Sequence, residues 1–143
     1  MTVKTILEQK GTDVVTIEPG AKLARAAQLL GERRIGAVVV TDGDGGIVGI
    51  LSERDIVRAV GEAGAQALEL NVDKVMTSKV STCSESHTIN SVMEIMTRGR
   101  FRHLPVEKGG RLAGIISIGD VVKWRIREVE REAEQIREYI ATA

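Results

Sequence analysis

Two stretches of the chain place a hydroxyl and a carboxylate three residues apart just ahead of an apolar helical run: Ser52-Glu53-Arg54-Asp55 and Ser117-Ile118-Gly119-Asp120. A serine followed at the third position by an acidic residue is a capping-box pattern, and this is one reading of both pairs. The other reading is chemical. A carboxylate accepts two hydrogen bonds and can take both hydroxyls of a ribose, while the exposed N–H groups of a helix start favour phosphate. The two are compatible, because a residue that caps the free helix can turn to a ligand when one arrives.

A second group of candidates is Arg100, Arg102 and His103, which stand where the first half of the chain has Arg34, Gly36 and Ala37. A guanidinium grips phosphate through a planar fork, and an imidazole can donate one further hydrogen bond. On an extended strand Arg100 and Arg102 share a face and His103 opposes them. The second half alone combines this cluster with Asp120, so its cleft is expected to hold a phosphate-bearing ligand more tightly than the first.

Catalysis finds little support. Asp55 and Asp120 could serve as general acid or base, but neither His87 nor His103 neighbours a cysteine, paired carboxylates or a serine elbow. The GxSxG, HExxH and P-loop patterns are absent. The single Cys83 excludes an intrachain disulfide and, with only two histidines, a Cys/His zinc site. The expectation is a protein that is not an enzyme and holds no metal.

The elements that must position these residues come in duplicate. Arg34, Ile35 and Val40 correspond to Arg100, Phe101 and Val106 with a shift of 66, and Gly49, Ile50, Ser52 and Asp55 to Gly114, Ile115, Ser117 and Asp120 with a shift of 65. A repeat of this length sets the architecture. Each copy opens with a short amphipathic lead-in, Val3–Leu7 or Val72–Met76, followed by a strand at Val14–Ile17 or Val80–Cys83. A helix follows in which Leu23, Ala26, Ala27 and Leu30, or Ile89, Val92, Met93 and Met96, recur at i, i+3, i+4 and i+7. Gly31 and Gly99 are placed to help end these helices. Strands are expected at Ile35–Val40 and Phe101–Val106, then Gly-rich turns, strands Ile47–Leu51 and Leu112–Ile116, and the Ser-x-x-Asp helices. Pro105 cannot donate to a ladder, so its strand has an edge or a bend there.

Beyond the repeat, Val122, Ile126, Val129, Ala133, Ile136 and Ile140 step by 4, 3, 4, 3 and 4, a heptad seam with flanks of mixed charge. The helix either lies on its own domain or contacts a second subunit.

The 143 residues, 43% of them hydrophobic, suffice for a core, and with three aromatics it must be built from Val, Ile, Leu, Ala and Met. Twenty basic and twenty acidic residues cancel, which argues against nucleic acid and anionic membrane as partners and makes any phosphate site local. No apolar run approaches a membrane span and no signal-peptide pattern opens the sequence, so a cytoplasmic location is expected.

The ordered set VVTIEPGAKLARAAQLL, IGAVVVTD and GIVGILSERDIV, then VSTCSESHTINSVMEIM, RFRHLPV and RLAGIISIGDVV, resembles two cystathionine β-synthase (CBS) domains in tandem, a stand-alone Bateman module. The resemblance implies an α/β (α+β) fold: two units, each β-α-β-β-α, related by a pseudo-twofold axis, at 1–66 and 67–123, with an amphipathic helix at 124–143 outside it. It implies a regulatory sensor that takes adenine nucleotides in clefts between the units. AMP or NAD stand first, with ATP, ADP and S-adenosylmethionine as further members. By the same resemblance Ser52 and Asp55, and Ser117 and Asp120, hold ribose and phosphate, and Arg54 is a further ligand-binding candidate. Adenine lies against the first strands, near Val15–Ile17 or Ser81–Cys83, with Thr16, Lys79, Ser81 and Thr82 as candidate ligand contacts. Its other wall is Ile35, Gly36 and Ala37, or Phe101, Arg102 and His103, with Arg100 and Pro105 counted among the ligand contacts. A homodimer is implied, with an enzyme or transporter regulated in trans. The alternatives are a structural dimerisation module or a small nucleotide-processing enzyme.

Overall fold

The apolar periodicities of the two copies build two small sheets, each backed by helices, in a computed structural model that describes residues 1–142. In the first, β1 (Thr16–Ile17) runs parallel to β2 (Ala37–Thr41), which pairs antiparallel with β3 (Ile47–Ser52). In the second, β4 (His103–Lys108) pairs antiparallel with β5 (Arg111–Ser117). The helices are α1 (Val3–Lys10), α2 (Leu23–Arg33), α3 (Glu53–Ala63), α4 (Ile89–Gly99) and α5 (Ile118–Thr142), with 3₁₀ turns at Gly64–Glu69 and Val72–Lys74. The inner face of α2 buries Leu23, Ala26, Leu29 and Leu30, with Leu29 in the place the periodicity gives to the half-buried Ala27. That of α4 buries Ile89, Val92 and Met96.

The lead-ins are exchanged between the units. Val3, Ile6 and Leu7 of α1 pack in the second core with Ile89, Val92, Leu104, Ile116 and Trp124. Ala67 and Val72 pack in the first with Leu23, Val38, Val40 and Leu51. Backbone bonds fix both exchanges: the N–H of Val3 donates to His87 O at 2.9 Å, and those of Leu23 and Val72 donate to Leu70 O and Ala21 O at 2.8 Å. Neither core therefore coincides with the segments 1–66 and 67–123. Likewise, the expected boundary at residue 124 falls inside the continuous α5, whose Trp124 belongs to the second core.

Two departures from the sequence pattern shape the site. The expected second-unit strand at Val80–Cys83 reduces to one parallel bridge, Cys83 to Val106. In the first unit the Val39 N–H donates to Val15 O at 3.3 Å. Pro105 holds the place of Val39 and has no N–H to give to Ser81, so the ladder stops there.

Helix α2 runs past Gly31 to Arg33, while α4 ends at Gly99 as expected, and in both the capping residue that takes the left-handed turn is an arginine, Arg34 or Arg100, with φ of 54° and 56°. The turn each makes delays its strand by two residues, to Ala37 and His103. Arg100, Phe101 and Arg102 thus lie outside the ladder. The alternation that would set His103 against the two arginines does not apply.

Candidate functional site

A cleft of about 300 Å³ opens between the two units. The first unit contributes Gly36 and Ala37 at the start of β2, Ile50 and Ser52 on β3, and Glu53, Arg54, Asp55 and Arg58 on α3. The second contributes Gly99, Arg100, Phe101, Arg102 and His103. Thr77, Lys79, Val80 and Ser81 form a strap between them. Reciprocal bonds between Thr77 and Ile50, at 2.9 and 3.0 Å, zip this strap onto β3 and bring Lys79 to the rim.

At its polar end the cleft presents a complete capping box. The Ser52 N–H and hydroxyl donate to Asp55 Oδ2 at 2.9 and 3.1 Å, and the Asp55 N–H donates to Ser52 Oγ at 3.3 Å. Among the described residues Asp55 Oδ1 has only the Arg58 guanidinium, at 3.8 Å, so this oxygen is left to accept from a ligand. The apolar wall is Ala37, Ile50, Val80 and Phe101. The Phe101 ring lies over Gly99, where a β-carbon would collide with it. His103 packs on Gly36, whose added β-carbon would meet the ring at 3.1 Å. Burial holds His103 below its ordinary pKa against the opposing pull of Glu53, which favours the neutral ring with one N–H to donate.

The second box forms with equal geometry but faces a different neighbour. The Ser117 N–H and hydroxyl donate to Asp120 Oδ2 at 2.9 and 3.0 Å, and the Asp120 N–H returns to Ser117 Oγ at 3.2 Å. Lys10, at the end of the exchanged α1, donates to the same carboxylate at 2.6 Å and to Ile115 O at 2.9 Å. Burial raises the Asp120 pKa, but the Lys10 ammonium and the Ser117 donors outweigh it and hold the carboxyl below its usual value. Asp120 thus stands outside the walls of the cleft that gathers Arg100, Arg102 and His103, although its charge and that of Lys10 still reach the His103 ring. The cluster opens toward Ser52 and Asp55 of the other unit, and Asp120 is paired with Lys10.

Of the residues singled out by sequence, Gly36, Ala37, Ser52, Arg54, Asp55, Lys79, Ser81, Arg100, Phe101, Arg102 and His103 share the cleft. Ser117 and Asp120 lie under Lys10. Pro105 is buried within β4, and Thr16 is exposed on a separate groove with Arg25 and Arg33. Ile35 and Thr82 are half-buried and are not among the cleft's walls. Sequence reading missed Ile50, Glu53, Arg58, Thr77, Val80 and Gly99. Arg58 carried a usable signal, since it stands four residues after Arg54 on one helix face. Cys83 is no nucleophile: burial pushes its thiol up to about 11.

A duplicated α/β unit whose halves exchange segments and enclose a basic cleft defines a two-unit class of module. The chain belongs to the CBS-domain family, whose sequence model matches residues 3–62 and 72–127, so it carries a tandem pair. It is similar to a crystal structure of a CBS-domain-containing protein from Agrobacterium tumefaciens, with a TM-score of 0.85 and 54% identity over 87% of this chain and 99% of that one. A CBS domain protein from Pyrobaculum aerophilum, solved in complex with AMP, aligns with a TM-score of 0.75 and 28% identity over 84% of this chain and 89% of that one. Among curated relatives, a 17.7 kDa protein of Acidianus ambivalens is 37% identical over 78% of this chain and 67% of its own length. The chain spans only 41% and 25% of relatives from Thermofilum pendens and Arabidopsis thaliana. No helix among the described residues is long and apolar enough to cross a membrane.

Proposed function

We propose that the pair binds an adenine nucleotide of the AMP or NAD class in the cleft between its units, and acts as a regulatory sensor in trans on an enzyme or transporter. The observation that carries this reading is the meeting of the free Asp55 oxygen with Arg100 and Arg102 across one cleft, a ribose acceptor facing phosphate donors. The AMP complex of the Pyrobaculum aerophilum relative supports the same ligand class. Isothermal calorimetry against adenosine, AMP, ADP, ATP, NAD and S-adenosylmethionine tests it. Saturable binding of adenine ligands without turnover is the expected result. Heat from none of them would leave a structural dimerisation module, and turnover would make the protein an enzyme.

The pair works in this reading as a homodimer. Val57 and Val60 on α3 and Val122, Ile126 and Val129 on α5 are apolar side chains left exposed on the two Ser-x-x-Asp helices. The seam continues through Ile136 and Ile140, between flanks of both signs that a second copy running antiparallel would complement. A cut after Glu130 spares Trp124 and removes the distal seam. Light scattering should show the shortened chain dissociating at higher concentration than the full one; identical mass and melting would mean that the distal helix makes no subunit contact.

A further inference from the structure

The charge of the cleft narrows the ligand. Five basic side chains line it, Arg54, Arg58, Lys79, Arg100 and Arg102, against two acidic ones, Glu53 and Asp55, a surplus of three positive charges. The whole chain balances at zero, so this surplus is a local concentration. Arg58 alone of the five reaches a carboxylate, while Arg54, Lys79, Arg100 and Arg102 form no ion pair among the described residues. Unpaired like charges gathered in a cleft repel one another until an anion enters.

These cations also stand on three separate segments. Arg54 and Arg58 rise from successive turns of α3, Lys79 comes from the strap, and Arg100 and Arg102 come from the turn before β4. They border a path and not a point. A single terminal phosphate brings about two negative charges at pH 7 and a diphosphate about three. The second matches both the surplus and its spread.

Resting on the adenine-nucleotide reading above, we propose that the ligand of this cleft is an adenosine carrying a chain of at least two phosphates, bound without a divalent cation because the side chains supply the positive charge. A neutral nucleoside leaves the surplus standing. The sulfonium of S-adenosylmethionine adds to it.

The test is a calorimetric series at low salt in EDTA with adenosine, AMP, ADP and S-adenosylmethionine, on the wild type and on Lys79→Ala and Arg102→Ala. Both side chains are exposed, so the fold should be indifferent to their loss. ADP should bind about tenfold tighter than AMP, as expected of one more charge-assisted contact, and AMP tighter than adenosine. Each variant should reduce the ADP advantage more than it reduces adenosine binding. Adding magnesium should weaken ADP by competing for its phosphates. AMP equal to or tighter than ADP, or S-adenosylmethionine tighter than AMP, overturns the proposal and leaves the nucleotide site standing. Failure of every ligand to bind overturns the site itself.

Discussion

Asp55→Ala should weaken adenosine and its nucleotides alike, by about ten- to a hundredfold, because it removes a charged acceptor whose hydrogen bonds to a ligand are worth roughly 1.5–3 kcal/mol. Asp120→Ala should leave that affinity unchanged. The two carboxylates have the same cap and the same spacing, and differ in what faces them: Asp55 opens on the basic cleft, whereas Asp120 is held by Lys10 at 2.6 Å. Asp55→Asn separates ligand loss from helix loss, since its amide oxygen still accepts from Ser52 and keeps α3 capped while the charge is gone. Intermediate affinity with wild-type melting is the expected outcome there. Calorimetry also reads stoichiometry. One adenine nucleotide per chain is expected, and Lys10→Met, which frees Asp120, is the variant in which a second would appear. Loss of binding in Asp120→Ala with full binding in Asp55→Ala would reverse the assignment of the clefts.

The reversal shows where the sequence stops being sufficient. The repeat made both Ser-x-x-Asp boxes legible, along with the buried faces of α2 and α4 and the seam of α5, because each is a local pattern with a fixed spacing. Pairing between the halves was not legible. Which unit's arginines meet which unit's carboxylate depends on the exchange of α1 and of the 3₁₀ segment at Val72–Lys74, a tertiary choice that no periodicity within either segment records. A trace exists in the glycines. Gly49 and Gly114 are equivalent positions on β3 and β5, and added β-carbons would strike Met76 and Leu7, the last apolar residues of the two exchanged lead-ins. The strand-alternation argument failed for a related reason. It assumes extended backbone, and left-handed Arg100 ends α4 in a turn that a run of Arg, Phe and Arg does not announce. Glycine is the usual residue in that conformation, so Gly31 drew the expectation short of the Arg34 cap, whereas Gly99 does end α4, directly before the left-handed Arg100.

The exchange itself predicts the largest effect on stability. Ile6 lies near the start of the chain yet is 1% exposed in the second core, beside Val92 and Trp124. Ile6→Asp puts an unpaired carboxylate there, and burial of such a charge costs about 4 kcal/mol or more, a large part of the 5–15 kcal/mol that holds a domain of this size. The chain has one tryptophan, so the damage can be located. Trp124 belongs to the second core and is 8% exposed, which makes its fluorescence a reporter of that core alone. Ile6→Asp should shift Trp124 emission to the red and lower the melting temperature as severely as Val92→Asp, which strikes the same core from its own helix. Gln28→Asp, on the exposed face of α2, is the control and should leave Trp124 emission in place. A chain beginning after Gly11 should likewise fail to keep Trp124 buried. Native emission and melting in Ile6→Asp would mean that α1 does not complete the second core, and the covering of Asp120 by Lys10 would fall with it, since Lys10 reaches that carboxylate only from the end of this helix.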